Sequence, residues 1–410
     1  MDTSTVRGIA EDEFATFVNV VRTAFVSPPA GDTEIATRRQ HFDLARCIGA
    51  YDVAGRMCGA AHAFATPLTV PGGEVAAGAV SAVGVLPTHR RQGHLTRMMR
   101  AQLADVADRG ETAAILVAAE YPIYGRYGYG PATEAVNLRI DATTARWRDE
   151  PTGTIEFVDN ETWAKLVDEL YDRTRRDLPG HIGWAAGRWR ISAGLDTFDD
   201  GDTRRRNAAK ALWRDAAGDV AAIAAYSVDD SWDHNRPAGR LQAAELVAAS
   251  PEAEREVLRF LASVDWVTEV HVGLRPVDHP APLTLVDGRA AALTGRSDHV
   301  WVRLLDVPTA LAGRRYATTD GLVVEVTDPL GLASGRFRLD GAPDGAECWP
   351  TDEAADLAVP VGVLGAAYLG GTGWQRLADA GWVDEARPGA VSRAAAMFTT
   401  ARAPWCAMTF

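Results

Sequence analysis

VSAVGVLPTHRRQGHLTRMM, residues 80–99, joins two elements through a loop of unusual composition. The small and β-branched run Ala79 to Val85 reads as a buried central strand. A basic, glycine-containing loop, His89 to Gly93, follows it. Leu95, Met98, Met99, Leu103 and Val106 then fall on one side of a helix for which Gly110 is a stop, and Ala113 to Ala119 reads as the next strand. The spacing predicts a strand-loop-helix-strand unit. A helix start presents unpaired N–H groups and about half a positive charge, which suits a pyrophosphate. Gly93 lets the backbone come close to such a group, and Arg90 and Arg91 add cations that reach phosphate oxygens.

Upstream, Phe14, Phe17, Val18, Val21 and Phe25 share one face of a first helix, and strands are expected at Leu44 to Tyr51 and Met57 to Val70. Near Asp141 the pattern restarts, with a strand at Ile155 to Val158, a helix at Glu161 to Arg175, strands at Asp219 to Val228 and Leu241 to Ala248, and a helix from Glu252. A third start at VWVRLLDVPTAL, near His299, leads to further strands, the helices Val361 to Leu369 and Trp374 to Ala380, and an apolar tail ending at Phe410. The expected class is α/β (α+β), in three domains: 1–141, 142–298 and 299–410. The second helix start, Ser250-Pro251-Glu252-Ala253-Glu254, is the reverse of the first. It has a capping serine, a proline without an N–H, and two carboxylates where phosphates would sit.

The chain has 410 residues, and 42 basic against 55 acidic side chains give a net charge of −13. That field disfavours nucleic acid and anionic membranes and favours cationic partners. Cys47, Cys58, Cys348 and Cys406 form no CxxC pair, so neither a disulfide framework nor a metal centre is expected. The N-terminal residues lack a leader pattern and no apolar run is long enough for a bilayer, which points to the cytoplasm.

The basic turn resembles the R/Q-x-x-G-x-G/A signature with which the GNAT acetyltransferase superfamily cradles coenzyme A. Leu95 stands where that signature has Gly or Ala. Transfer of an acetyl group from a thioester to an amine needs a neutral amine, donors for the oxyanion and an acid for the departing thiolate. The N–H groups of Val83 and Val85 are the expected donors. The acid is sought among Tyr121, Tyr124, Tyr127 and Tyr129, phenols of reference pKa about 10, of which three are expected to pack.

The run IYGRYGYGPAT (residues 123–133), with THRRQG and a chain ending in phenylalanine, resembles the Eis (enhanced intracellular survival) family of GNAT acetyltransferases over the whole length. The resemblance implies two tandem GNAT folds and a sterol-carrier-like third domain; the acidic second helix start at Ser250 to Glu254 predicts that the second fold binds no coenzyme A. It implies acetyl-CoA as co-substrate, Tyr124 as general acid and the carboxylate of Phe410 as general base. Glu120 is the alternative base. Coenzyme A contacts are implied at Val83, Gly84, Val85, Arg91, Gln92, Gly93, His94, Leu95, Thr96, Ala119 and Glu120, and a homohexamer is implied as the assembly. His94 is expected to act as a donor in the loop and His62 as a packed histidine.

Aminoglycoside-acetylating members carry acidic residues at places held here by Ser27 and Thr409; Asp32 and Glu34 are the expected substitutes. The acceptor expected from the acidic field and the resemblance is a cationic small molecule, an aminoglycoside or polyamine, or a lysine side chain. Two other readings stay open. One is a lipid-binding protein, if the third domain holds an unplugged cavity; the other is an enzyme that transfers an acyl or aminoacyl group to another acceptor.

Overall fold

A computed structural model of the chain describes residues 5–184, 186–198 and 203–410. These group into two compact units. One holds the chain up to Thr133, Asp298–Pro404 and Thr409–Phe410; the other holds Glu134–Ser297 and Trp405–Met408.

In the first unit a seven-stranded sheet runs in the order Thr5–Gly8, Cys47–Tyr51, Met57–Val70, Gly73–Val85, Ala113–Val117, Val300–Leu304, Gly130–Pro131. The Phe14–Ala24 helix buries Phe14, Phe17, Val18 and Val20, whereas Phe25 lies past its end and is exposed. The His94–Asp108 helix buries Met98, Met99, Leu103 and Val106, the stripe expected from its spacing. Small residues let the layers close: a Cβ on Gly130 would collide with the Gly362 carbonyl, which is how the Val361–Tyr368 helix comes down on this sheet. The remainder of the unit is a five-stranded sheet, ordered Gly345–Pro350, Gly335–Ala342, Asp320–Thr327, Leu357–Pro360, Asp384–Glu385, with helices at Val361–Tyr368, Trp374–Asp379 and Ala390–Phe398.

The second unit is another seven-stranded sheet: Thr154–Phe157, Ala209–Arg214, Val220–Asp229, Gly239–Ala248, Val267–Arg275, Glu134–Asp141, Ala291–Asp298. Two helices anchor its core. Asn160–Arg175 contributes Trp163, Val167 and Leu170, and Pro251–Ala262 contributes Val257, Leu258 and Leu261.

The strand assignments depart from the sequence-based boundaries at both ends of the second domain. Glu134–Asp141, expected in the first domain, pairs antiparallel with Val267–Arg275 in the second sheet. Val300–Leu304, expected to open the third, pairs antiparallel with Ala113–Val117 in the first. Each segment lies next to the boundary and alternates or runs apolar, so either sheet satisfies its hydrophobic pattern; the pairing partner is a tertiary choice that local spacing does not encode.

Candidate active site

The central strand and its parallel neighbour form a fork. Gly73–Val85 and Ala113–Val117 pair only through Ala77–Ala79 and Ala113–Ile115, and both strands then continue without a ladder between them. On the other side of the central strand, the register against Met57–Val70 shifts between Ala60 and His62, and Ala82 takes a left-handed φ of 53°. A bulge of this kind bends a strand. Past the bulge, the Leu86 N–H donates to the Cys58 carbonyl at 2.8 Å. Successive N–H groups of a pleated strand point to opposite sides, so those of Val83 and Val85 face into the fork. The Gly84 N–H points the other way, to the Met57–Val70 strand, and a Cβ on Gly84 would stand 2.6 Å from that of Ala24.

At the mouth of the fork, Gly93 is the N-cap of the His94–Asp108 helix, with φ 80°, no side-chain cap and no acidic residue in the first turn. That φ is the reason for a glycine here. Arg90, Arg91, Gln92, Gly93 and Thr96 are exposed around it. An uncapped helix start with cations around it and no acidic residue in its first turn fits a diphosphate. One side chain departs from expectation. His94 is buried, its ring nitrogens 3.7 Å from the Cys58 sulfur, with Nδ1 3.2 Å from the Arg97 guanidinium and the ring edge-on to that of His89 at 6.1 Å. Leu95 is partly buried against the sheet, on the side of the helix expected from its spacing. The sequence reading also missed Arg97, whose guanidinium donates to the Gln92 carbonyl at 3.0 Å and braces the loop one turn into the helix.

Ala119 and Glu120 are exposed past the end of the second prong, and Glu120 is the N-cap of the short Tyr121–Tyr124 helix. Tyr124 is 9% exposed; burial, then Tyr127 and Glu120, raise its phenol above the ordinary value. The proton therefore stays on the oxygen at neutral pH. Tyr127 and Tyr129 are buried, the Tyr127 hydroxyl 3.1 Å from Thr96 Oγ1 and the Tyr129 ring 6.1 Å from Tyr124. Tyr121, expected to pack, is 61% exposed and only touches Trp301 edge-on. The whole turn hangs on Arg303, which donates to the Tyr127 carbonyl at 3.0 Å and pairs with Asp328 at 2.6 Å, both side chains fully buried. Its one signal in the sequence is an arginine inside the apolar run VWVRLL.

The half-buried Phe410 ring meets Phe64 edge-on at 5.9 Å. Phe64 follows His62, which is buried and stacked on Phe42 at 4.2 Å, a packed histidine. Ala63, between His62 and Phe64 and so on the opposite face of their strand, shares one apolar cluster with Val80 and Tyr124. Glu34, expected to meet a cationic acceptor, is buried between Arg22 at 2.9 Å and Arg38 at 2.8 Å, so its charge is already matched. Asp32 is exposed at the start of the Asp32–His41 helix, which also carries Glu34.

Family models described as an acetyltransferase (GNAT) domain match residues 5–132 and 180–305, and one described as a sterol carrier protein domain matches 307–407. An uncharacterized N-acetyltransferase of Streptomyces avermitilis is 41% identical over 98% of this chain and 97% of its own. The N-acetyltransferase Eis of Mycobacterium tuberculosis is 34% identical over 74% of this chain and 73% of its own. The crystal structure of Eis1 from Mycobacterium abscessus matches with a TM-score of 0.87 at 33% identity, covering 99% of this chain and all of that one. The chain belongs to the Eis family of GNAT acetyltransferases. Its architecture is that of the family, two GNAT folds and a sterol-carrier-like domain, and an Eis-family chain is an N-acetyltransferase. GNAT enzymes take acetyl-CoA as co-substrate, in keeping with the uncapped helix start at Gly93. Among the described residues, no helix of this Eis-family chain is long and apolar enough to cross a membrane.

Proposed function

We propose that the first fold alone binds acetyl-CoA and transfers its acetyl group to the amine of a small cationic acceptor by direct attack. The observation that carries this reading is the fork whose ladder stops at Ala79 and Ile115, with the Val83 and Val85 N–H groups turned into it beside an uncapped helix start. The N–H groups of Arg91 to Thr96 face the diphosphate, and Ala119 and Glu120 flank the pantetheine arm. The Phe410 carboxylate takes a proton from the attacking nitrogen, directly or through one water. The Val83 N–H donates to the oxyanion as the carbonyl carbon becomes tetrahedral. When the C–S bond breaks, the Tyr124 hydroxyl donates its proton to the sulfur, giving amide and free thiol.

The charge distribution supports an acceptor with one or two amines. Ser27 and Thr409 carry no charge, and the Glu34 carboxylate is held by two arginines. A polycation would find few free anions. The lipid-binding alternative is disfavoured by the third domain's interior, where the Tyr316 and Trp374 rings pack on Phe398 at 5.1 and 5.3 Å and the Arg314 guanidinium lies over the Phe398 ring at 4.4 Å. The deciding experiment appends one glycine after Phe410, which moves the carboxylate away while keeping the phenylalanine. The expected result is a fall in kcat of about 100-fold across an amine panel with the KM for acetyl-CoA unchanged. Unchanged kcat overturns the carboxylate as base.

A further inference from the structure

The second unit contains a fork of the same construction. Gly239–Ala248 and Val267–Arg275 pair in parallel from Gly239 to Ala243 and from Val267 to Val272, and then both strands continue without a ladder between them. In this fork lies chain from elsewhere in the sequence. The Trp405 N–H donates to the Pro179 carbonyl at 3.0 Å, its indole meets the His181 ring edge-on at 4.6 Å, and the Arg275 guanidinium stacks over it at 4.7 Å. Cys406 is wholly buried, and Ala407 and Met408 line a cavity of about 100 Å³ with residues of both prongs, Glu245 and Leu246 on one and Val272 and Leu274 on the other. Arg275 is itself fixed by Glu254 at 2.9 Å and by the Leu246 carbonyl, so the stacking cation is held in place rather than free to swing.

We infer that the fork of the second fold is a peptide dock for the chain's own Trp405–Met408, and that this dock fixes the position of the terminal carboxylate two residues further on. Thr409 and Phe410 group with the first unit, while the four residues before them pack within the second. Two extended residues reach at most about 7 Å, so holding Met408 confines the Phe410 carboxylate to a small volume. A tethered general base that is already confined loses little entropy on reaching its reacting geometry. Trp405 and Arg275 are accordingly positioning residues, since neither touches the reacting atoms. The positioning role rests on the Phe410 carboxylate being the base; the dock itself does not.

Cys406 reports the dock without reference to activity. Burial pushes its thiol up to about 12, as it does that of buried Cys47 in the first unit, so both are poor nucleophiles while folded. The experiment follows alkylation of each cysteine in the full-length protein by peptide mapping, with kcat and KM, in wild type, Trp405→Ala, Trp405→Phe and the form with one glycine appended after Phe410. In wild type, Cys406 should react as slowly as Cys47; fast reaction overturns the dock with no mutation needed. Trp405→Ala should speed alkylation of Cys406, and not of Cys47, at least tenfold. It should lower kcat at least tenfold at an unchanged KM for acetyl-CoA, and Trp405→Phe should restore both to within threefold. The appended glycine should lower kcat while leaving Cys406 protected. Continued protection of Cys406 in Trp405→Ala overturns the dock. Release of Cys406 at full kcat overturns the positioning role, and the appended form then separates the causes: if it too keeps full kcat the base assignment has failed, and if it loses kcat only the positioning has.

Discussion

The two acyltransferase folds of this chain agree strand by strand and differ at one helix start. Each sheet has seven strands in the same spatial order, with the sixth place taken by Val300–Leu304 in the first and by Glu134–Asp141 in the second. Each central strand carries a bulge, at Ala82 in one and Ala244 in the other, and each opens a fork against its parallel neighbour. At the first fork the helix begins with an uncapped glycine and no acid. At the second, Ser250 Oγ accepts from the Ala253 N–H at 3.1 Å, Pro251 has no N–H to offer, and Glu252 and Glu254 stand in the first turn. On the reading proposed above, one fork takes a diphosphate and the other, its helix dipole already met, takes a peptide. The fold supplies a splayed pair of strands; the few residues at the helix start determine what enters it.

The largest expected effect tests the chemistry of the first fork. Tyr124→Phe removes the proton donor and keeps the buried ring, so kcat should fall about 100- to 1000-fold with the KM for acetyl-CoA within twofold, by steady-state thiol release. A kcat within threefold of wild type breaks the assignment of that fork as catalytic through Tyr124.

A second effect belongs to the second fork alone. Burial pushes the Glu254 carboxyl up, but the His279 ring at 3.2 Å and the Arg275 guanidinium more than reverse this and bring it down to about 2, below its ordinary 4.5. A depressed carboxyl contributes stability that is complete above the unfolded value and is lost as pH falls towards the folded one. Between pH 6 and pH 3 the loss should be about 2 kcal/mol in urea unfolding of the second unit, and Glu254→Gln should flatten that slope. An equal acid slope in the variant means that other groups carry it.

How much of this was legible depends on how local each signal is. The stripe of the His94–Asp108 helix, the Met57–Val70 strand and the capping contrast between Gly93 and Ser250 are fixed within a few residues by periodicity and cap chemistry, and they read directly. The sixth strands did not, because Val300–Leu304 and Glu134–Asp141 find their sheets through partners more than a hundred residues away. His94 misled for a related reason. Its place in a basic loop pointed outward, whereas the first helical turn rotates its ring onto Cys58. Glu34 looked free because Arg22 reaches it only through the turn between two helices; Arg38, four residues on in Glu34's own helix, was a local signal that went unread. Arg303 gave a signal, a charge in an apolar strand, but its role as a brace for the tyrosine turn appears only once Asp328 folds beneath it.

The smallest effects, taken as a pair, sharpen the comparison most. Gly93 sits at φ 80°, where an alanine costs about 1 kcal/mol or more, and that cost falls on the loop facing the diphosphate. Gly93→Ala should therefore raise the KM for acetyl-CoA about tenfold while kcat at saturation stays within threefold. Ser250→Ala removes the acceptor for the Ala253 N–H and should lower unfolding stability by about 1 kcal/mol, with the KM for acetyl-CoA unmoved. The two substitutions occupy matching places in matching folds, so fold similarity alone would have them act alike. If Ser250→Ala also shifts the KM for acetyl-CoA at constant stability, the second helix start takes part in binding the co-substrate, and the division of labour between the two forks fails.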